Sequence, residues 1–392
     1  MPAYKYLIIG GGITADSAVR GIRQVDKAGS IGLISNEPHA PYNRPPLSKG
    51  LWKGEPIEKI WRKTSELGIE IHLSRSAKRV DPQNRTVFDD RGTESRFEKL
   101  LIATGGKVRR LPFKVDGIIY FRTLDDFREL RALADQRERF VIIGGGFIGS
   151  EVAAALRMAG KQVTMIFPEE GIGARVFPRR LSSYLNSFYR IKGVTILAED
   201  GVSYIEKRNS SYFIKTTKGQ GVTADGVVAG IGISPDVELA QSAGLKVDNG
   251  IHVDEYLRTS HPDIFAAGDV ANFYNPSLGK RIRLEHEDNA NTMGDAAGKN
   301  MAGEMIPYVH LPFFYSDLFD LGYEAVGDLD ARYEVVEDWK KPFVEGVIYY
   351  LEGKRVRGVL LWNTWGQVDK ARALIAEPGP FAVKDVLGRL PA

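Results

Sequence analysis

The sequence predicts an α/β protein that contains two βαβ units of the same kind and a C-terminal α+β domain. Two observations carry this prediction. Residues 7–17 read LIIGGGITADS, and residues 141–151 repeat the pattern as VIIGGGFIGSE. In each copy a short apolar run leads through glycines into an alanine-rich helical pattern, which is typical of the strand–turn–helix opening of a βαβ unit. The length of 392 residues also favours two or three domains over a single core.

Small residues recur at three positions in both copies, and their spacing matches a dinucleotide-binding fingerprint. The first position makes the tight turn, the second lets the backbone approach a pyrophosphate, and the third allows close packing of helix on strand. Free N–H groups and the dipole at the helix start would then hold the anion. The residues are Gly10, Gly12 and Ala15 in the first copy, and Gly144, Gly146 and Gly149 in the second. A lone match also occurs at ordinary helix starts, but two matches in the same context favour two nucleotide sites.

Acidic residues follow the next strand of each unit, where a carboxylate can accept hydrogen bonds from ribose hydroxyls. The first unit supplies Glu37 after SIGLISN, and the second supplies Glu169 and Glu170 after QVTMIFP. No arginine stands at the end of the second strand, which predicts NADH rather than NADPH at that site. Arg175 follows soon after and leaves NADPH open as the less favoured alternative.

Composition excludes several classes of function. The formal charge of +3 is nearly neutral for this length and indicates no basic face of the kind that nucleic-acid binding needs. The chain has no cysteine, which excludes a disulfide relay, a thiolate nucleophile and a cysteine-held iron–sulfur cluster.

Met1 runs directly into the first apolar strand, which leaves no room for a signal peptide. The longest apolar stretch, residues 141–160, contains Glu151 and Arg157, so we expect no membrane span and a cytoplasmic location.

Further elements follow along the chain. Residues 37–50, EPHAPYNRPPLSKG, are interrupted by prolines and predict an irregular, stiff loop that presents Arg44 and Lys49. Residues 69–90 alternate like a β-meander, and FEKLLIATGG and DIFAAGD indicate apolar strands that end in glycine turns. From about residue 307, aromatic-rich alternating strands lead to a short helix around DKARALIAE.

Together, the motifs YNRPPLSK, LIATGG, IIGGGFIGSE, IFAAGD and LEHEDNANTMGDAAGKNMAG resemble those of FAD-dependent, NADH-oxidising ferredoxin and rubredoxin reductases. The C-terminal elements YSDL, GYEAVG and VLLWN make the chain more similar still to apoptosis-inducing-factor-like flavoproteins. The resemblance covers essentially the whole chain. It implies two Rossmann-like domains of the glutathione-reductase type, the first copy binding FAD and the second NADH. The implied domains are residues 1–115 and 236–306 for FAD, 116–235 for NADH and 307–392 for the C-terminal α+β domain.

The resemblance also implies residues that position the cofactors, because hydride transfer from nicotinamide to flavin needs no protein nucleophile or acid. On the FAD side, Glu37 would hold the ribose, Arg44 would lie near the pyrophosphate and Lys49 near the reactive ring edge. The other implied FAD contacts are Thr104 and Gly105 along its backbone, Gly268 and Asp269 at the ribityl chain or phosphate, and His286 at the flavin face.

On the NADH side, Lys49 is expected to pair with Glu151 close to the nicotinamide, and these two residues are the catalytic candidates. Two unrelated surface charges are the alternative. Phe147 would cover the nicotinamide pocket, with plain core packing as the alternative. Tyr315 stands where the related proteins carry a tryptophan and would cover a ring face with less area. Glu324 lies in the GYEAVG strand and favours similarity to the apoptosis factors.

A metal site is the alternative role for the acidic run at residues 285–288, EHED. Consecutive residues on a helix point in different directions, so their side chains do not converge on one ion. We therefore expect no metal.

Two functions follow from the resemblance. The first is an FAD-containing enzyme that takes a hydride from NADH and passes single electrons to a ferredoxin, a rubredoxin or a small-molecule acceptor. Without cysteine, the flavin would hand these electrons outward directly. The second is a redox-sensing protein, similar to apoptosis-inducing factor, in which reduced FAD and bound NAD form a long-lived complex that changes homodimer formation. The chain lacks the long C-terminal insertion of the animal apoptosis factors, which favours the enzyme. A flavin monooxygenase has no matching signature here.

Overall fold

The computed structural model describes residues 1–391. The α-helices in this range are α1 (Ile13–Val25), α2 (Leu124–Gln136), α3 (Phe147–Met158), α4 (Arg179–Ile191), α5 (Glu238–Ser242), α6 (Glu287–Met301), α7 (Val368–Ala376) and α8 (Val383–Val386). Short 3₁₀ turns lie at Pro45–Ser48, Gly50–Lys53, Ile57–Ile60, Thr64–Leu67 and Gly268–Val270. Helices α1 and α3 begin directly behind the two glycine-rich turns, as the sequence predicts.

The described chain forms two compact units. Unit 1 consists of Met1–Asn43, Ile57–Lys107 and Ser234–Pro312. Unit 2 consists of Arg44–Pro56, Val108–Ile233 and the chain from Phe313 onward. Each unit holds one of the two glycine-rich turns. The three domains expected from the sequence, of which the FAD domain is built from two segments, stay a prediction, because compactness does not show which nucleotide a unit binds.

A seven-stranded sheet forms the centre of unit 1. In spatial order its strands are Glu70–His72, Ile31–Ile34, Ala3–Ile9, Glu94–Ile102, Thr86–Asp89 and Ala77–Asp81, and Ile264–Ala266 pairs alongside Glu94–Ile102. The meander predicted over residues 69–90 is only partly right. Two of its strands form a hairpin, but Glu70–His72 pairs in parallel with Ile31–Ile34, where it covers the backbone groups of that strand.

Helices α1 and α6 of unit 1 pack against each other through glycines. A Cβ on Gly298 would lie 2.1 Å from the carbonyl oxygen of Ala18, and a Cβ on Gly294 would lie 2.5 Å from that of Thr14. Glycine is therefore required for this close approach of two backbones. Unit 1 also holds a smaller sheet of the strands Val247–Asp248, Gly250–His252, Ala271–Asn275 and Lys280–Ile282.

Unit 2 contains one parallel and two antiparallel sheets. The parallel sheet has the order Val194–Leu197, Gln162–Ile166, Arg139–Ile143, Gly226–Ala229 and Ile118–Ile119. The small antiparallel sheet consists of Val202–Arg208, Ser211–Thr216 and Gly221–Ala224. The C-terminal sheet has the order Phe313–Leu318, Leu321–Gly327, Arg355–Trp362, Glu345–Glu352 and Glu334–Lys341. Helix α7 packs on this last sheet, as the predicted α+β arrangement requires. The strands Gly106–Val108 and Ile233–Pro235 lie where the chain passes between the two units.

Segment 44–56 belongs to unit 2 and contains the end of the loop that the sequence predicts over residues 37–50. It forms two 3₁₀ turns, Pro45–Ser48 and Gly50–Lys53. The first turn can begin with proline because the missing N–H is not needed at its first position. The ring of Trp52 meets that of Phe127 in α2 edge-on at 5.8 Å. This contact fixes the segment on α2.

Candidate dinucleotide-binding and redox site

The first glycine turn, in unit 1, has the geometry of an anion-binding helix start. Gly10 has φ of +125°, and a Cβ there would lie 2.1 Å from the carbonyl oxygen of Ala103, so this position requires glycine. Gly12 is the N-cap of α1 and provides no side-chain cap. A Cβ on Gly12 would meet open space. Ala15, in the first turn of α1, is fully buried. The uncapped N–H groups of α1 therefore face room that an anion can fill.

The second glycine turn, in unit 2, repeats this geometry. Gly144 has φ of +114°, and a Cβ there would lie 2.4 Å from the carbonyl oxygen of Gly230. Gly146 is the N-cap of α3, again without a side-chain cap and with open space at its Cβ position. A Cβ on Gly149 would lie 2.2 Å from the carbonyl oxygen of Gly144, so the helix can pack on its strand only with glycine here.

Other expected FAD residues gather around the first turn. A Cβ on Gly268, which has φ of +78°, would lie 2.3 Å from Oγ1 of Thr14 in α1. The turn that carries Gly268 and the partly buried Asp269 is therefore packed against the start of α1. Glu37 follows the strand Ile31–Ile34, and its Oε2 accepts a 2.7 Å hydrogen bond from the Tyr42 hydroxyl.

His286 stands at the N-cap of α6. Its Nδ1 is shielded from solvent although the side chain is partly exposed. Burial lowers the pKa of His286 to about 4, and the nearby carboxylates of Asp269 and Asp288 oppose this shift only in part. His286 is therefore a neutral imidazole near pH 7.

Three expected residues have contacts that the sequence did not suggest. Thr104 Oγ1 donates a 2.8 Å hydrogen bond to the carbonyl oxygen of Asp236, and the Gly105 carbonyl accepts one of 3.0 Å from the Asp236 N–H. Both residues thus fasten the segment that returns to unit 1. Arg44 donates from Nη1 to the carbonyl oxygen of Arg122 at 2.9 Å, within unit 2. Their expected contacts with FAD stay predictions.

Each of the two carboxylates that follow the second unit's strand forms an ion pair with an arginine. Arg175 donates from Nε and Nη2 to Oε1 of Glu169, at 3.1 and 2.7 Å. Arg179 reaches Oε2 of Glu170 at 2.9 Å. The side chain of Arg175 is 80% exposed, so it stays accessible to a ligand at this strand end.

The expected pair of Lys49 and Glu151 is present and largely buried. Lys49 Nζ lies 2.8 Å from Oε1 of Glu151, and the two side chains are 12% and 4% exposed. Two unrelated surface charges do not describe this arrangement. Lys49 Nζ also lies 4.9 Å from the ring centroid of Tyr315, within cation–π range.

Two serines complete this site, and sequence reasoning missed both. The Ser316 hydroxyl donates a 2.6 Å hydrogen bond to Oε1 of Glu151, and the Ser48 hydroxyl donates one of 2.6 Å to Oε2. The two serines, Lys49 and Glu151 are together called the Glu151 cluster below. Serine is too common for a sequence signal, although Ser48 and Ser316 each adjoin an expected site residue.

Aromatic side chains lie beside the second turn. The ring of Phe147, the first residue of α3, is 5.0 Å from that of Phe314 and 6.5 Å from that of Tyr323. Phe147 stays partly exposed, so both packing and coverage of a ligand are open to it. Glu324 is paired in register with Tyr315. Burial raises the pKa of Glu324, and a hydrogen bond from the Gly366 N–H opposes the shift.

Residues 1–391 hold neither a candidate metal site nor a candidate membrane span. No group of three or more histidines, cysteines, aspartates or glutamates in this range is arranged to hold a metal ion. No helix in it combines the length and the apolar character that crossing a membrane needs.

Comparisons with known proteins agree with the geometry. Residues 4–294 match the family described as pyridine nucleotide-disulphide oxidoreductase, and residues 297–343 match the C-terminal domain of mitochondrion-associated apoptosis-inducing factor. The chain is 36% identical over 391 residues to the 5,5'-dehydrodivanillate O-demethylase ferredoxin reductase subunit of Sphingobium sp., covering 96% of this chain and 94% of the relative. It is 35% identical over 417 residues to apoptosis-inducing factor 1, mitochondrial, of Dictyostelium discoideum, covering 95% and 78%.

Among solved structures, the covalent putidaredoxin reductase–putidaredoxin complex matches with a TM-score of 0.90 at 29% identity, covering 96% of this chain and 94% of that one. These similarities confirm the resemblance and the fold class that the sequence motifs indicated.

Proposed function

This chain belongs to the pyridine nucleotide-disulphide oxidoreductase family, and we propose that it is an FAD-containing enzyme that oxidises NADH and delivers the electrons to a small acceptor protein such as a ferredoxin. One observation carries the proposal. Both glycine turns lead into helices without side-chain caps, and each has open space at the second fingerprint glycine. Two such helix starts, one in each unit, suit the pyrophosphates of two dinucleotides.

The surrounding residues support FAD in unit 1 and NADH in unit 2. In unit 1, Glu37 stands behind the strand next to the first turn, where a carboxylate can accept hydrogen bonds from ribose. Glu169 has the equivalent place in unit 2. A neutral His286 and the carboxylate of Asp269 offer FAD polar contacts beside the first turn.

Bound FAD supplies the capacity to accept a hydride and to release electrons one at a time. The residues of the chain bind the cofactors and orient them toward each other. Phe147 and Glu151 are four positions apart in α3, so they lie on one face of the helix. The ion pair of Glu151 with Lys49 adds a fixed charge pair to that face. We infer that this face borders the nicotinamide and holds it at the distance that hydride transfer needs.

The absence of cysteine separates this chain from the disulphide chemistry in the family's name. A thiol pair that would accept electrons cannot form, so the acceptor must take electrons from the cofactor without a protein thiol in between. The relatives named as a ferredoxin reductase subunit and as putidaredoxin reductase support a small redox protein as the acceptor.

An anaerobic titration with NADH tests the proposal. The purified protein should be yellow and should bleach with NADH as the flavin is reduced, and addition of an oxidised ferredoxin should restore the colour within seconds. A set of ferredoxins and rubredoxins, with buffer as control, identifies the acceptor class. A protein that cannot be loaded with FAD, or whose bound FAD does not react with NADH, contradicts the proposal.

A redox-sensing role is the second candidate, and the match of residues 297–343 to the C-terminal domain of apoptosis-inducing factor favours it. A sensor should keep a long-wavelength absorption band after NADH is added and should turn over slowly with every acceptor. Its state of association, measured by light scattering, should differ with and without NADH. Rapid reoxidation by a ferredoxin together with an unchanged molar mass excludes it.

We also propose that the protein is located in the cytoplasm, as the sequence predicts. Fractionation of the producing cells tests it, with recovery in the membrane or secreted fraction as the contrary result.

A further inference from the structure

The Glu151 cluster joins three stretches of unit 2 that are distant in sequence. Ser48 and Lys49 come from segment 44–56, Glu151 from α3 and Ser316 from the edge strand Phe313–Leu318. The Ser48 and Ser316 contacts of Glu151 span 103 and 165 positions of the chain. Both serines are buried, so their hydroxyls are shielded from the competition of water.

The two oxygens of Glu151 have different partners. Oε2 accepts one hydrogen bond, from Ser48 at 2.6 Å. Oε1 accepts from Ser316 at 2.6 Å and from Lys49 at 2.8 Å. A carboxylate held through both oxygens by donors on different elements cannot rotate without breaking a charge-assisted hydrogen bond. The direction from which Lys49 must approach Oε1 is therefore set in part by the serines.

We propose that Ser316 is a positioning residue of the redox site: its hydroxyl holds the Glu151 carboxylate in the orientation that places the Lys49 ammonium. Ser48 fixes the second oxygen and supports the same orientation. The inference rests on the proposed function in so far as Lys49 acts in flavin reduction, but the hold on Lys49 itself can be measured without NADH or flavin reduction.

The neighbourhood of Lys49 explains why such a hold is needed. The ammonium lies near the ring of Tyr315, at 4.9 Å, on the same strand as Ser316. A lysine has several rotatable bonds and would otherwise sample other positions over this ring. This one strand therefore acts on the Lys49 ammonium in two ways. The Tyr315 ring contacts the ammonium, and the Ser316 hydroxyl orients the carboxylate that pairs with it.

The test compares Ser316→Ala, Ser316→Thr and the control Ser187→Ala. Ser187 lies exposed on α4, where its hydroxyl only reaches the carbonyl oxygen of Ser183 at 3.4 Å. The FAD-loaded proteins are acetylated with limiting N-hydroxysuccinimide acetate, and the modification of Lys49 is followed by peptide mass spectrometry. Lys161 serves as the internal reference, because it is also paired, with Glu138 at 2.9 Å, and is 14% exposed.

In Ser316→Ala the rate for Lys49 relative to Lys161 should rise by about threefold or more, because one buried charge-assisted hydrogen bond is lost. Ser316→Thr keeps the hydroxyl and should stay near the native rate, as should Ser187→Ala. Equal rates in Ser316→Ala and the native protein overturn the proposal. Equal acceleration in Ser316→Ala and Ser316→Thr also overturns it, because the hydroxyl is then not what holds Lys49.

Stopped-flow reduction by NADH provides the second readout. Ser316→Ala should lower the limiting rate of flavin reduction by about fivefold while the apparent Kd for NADH changes by less than about twofold, because orientation rather than binding is lost. Faster acetylation with an unchanged limiting rate contradicts a role in the reaction. If the native protein is not reduced by NADH at all, the proposed function fails, whereas the acetylation result still decides whether Ser316 holds Lys49.

Discussion

Arg62 donates a 2.6 Å hydrogen bond from Nε to Oδ2 of Asp16, whose side chain is completely buried in α1 of unit 1. Arg20 donates to the same carboxylate at 2.8 Å and Thr64 at 2.7 Å. Asp16 directly follows Ala15, the third small residue of the first glycine turn. Charged and polar donors around one buried carboxylate therefore anchor α1, the helix that follows the first glycine turn.

Asp16→Asn should destabilise the protein severely. Removing one partner of a buried ion pair leaves the other charge uncompensated, which costs about 3–5 kcal/mol. Denaturant unfolding measures the loss. Lys5→Ala breaks a solvent-screened pair with Asp26 in which the lysine is 47% exposed, so its unfolding midpoint should stay close to that of the native protein. Similar losses in both variants would show that Asp16 is not a special anchor.

Gly146→Ala and Gly149→Ala should separate binding from folding. Gly146 has φ of −81° and open space at its Cβ position, so alanine should leave the melting temperature unchanged and raise the Kd for NADH by about tenfold or more, by filling the room of the pyrophosphate. In Gly149→Ala the Cβ meets the Gly144 carbonyl oxygen at 2.2 Å, so this variant should be destabilised. Calorimetry and NADH titration check both. Native NADH affinity in folded Gly146→Ala contradicts the assignment of this turn.

Glu151→Ala should slow flavin reduction by NADH by about a hundredfold, because a small displacement from the reactive geometry is enough for such a loss. It leaves the Lys49 ammonium, which is 12% exposed, without its carboxylate. FAD content should stay native, since Glu37 and Asp269 belong to unit 1 and Glu151 to unit 2. Stopped-flow spectroscopy measures the rate, and Lys49→Ala is the companion variant. Rates within about twofold of native in both would remove the pair from the reaction.

Glu169→Ser should weaken the preference for NADH. Glu169 holds Arg175 through two hydrogen bonds, of 3.1 and 2.7 Å, so its loss removes a negative charge and frees a guanidinium that can bind a 2′-phosphate. We expect kcat/KM for NADPH to rise about tenfold. The double variant with Arg175→Ala should lose most of this gain. If Glu169→Ser with Arg175→Ala uses NADPH as well as the single variant does, Arg175 is not the phosphate ligand.

His286→Asn should change the dependence of stability on pH. The folded protein binds a proton at His286 only near the lowered pKa of about 4, whereas the unfolded chain binds it near pH 6.5. The stabilising contribution of the neutral imidazole is therefore complete above pH 6.5 and is lost as pH falls from 6.5 to 4. Unfolding midpoints across this range measure the difference between variant and native protein. Parallel pH profiles would show that His286 is not buried as a neutral group.

The two dinucleotide turns could be predicted from the sequence because their chemistry is local. Gly10 and Gly144 adopt positive φ, and only a few consecutive residues are needed to specify a turn of this kind. The apolar runs before them and the small residues behind them report strand and helix in the same way. The place of Glu151 near the nicotinamide could be proposed because Glu151 is the first acidic residue after the second glycine turn.

The partners of these residues could not be predicted in this way. Arg62 meets Asp16 across 46 positions, and Ser316 meets Glu151 across 165. A serine or an arginine carries no sequence pattern that names its partner. The irregular loop predicted over residues 37–50 contains a regular 3₁₀ turn, Pro45–Ser48. Sequence by itself thus determined the two cofactor turns, the family and the chemistry that a chain without cysteine can perform. Tertiary structure alone decided which donors surround each buried carboxylate, because a buried charge is held by whichever polar groups the packing of distant elements brings to it.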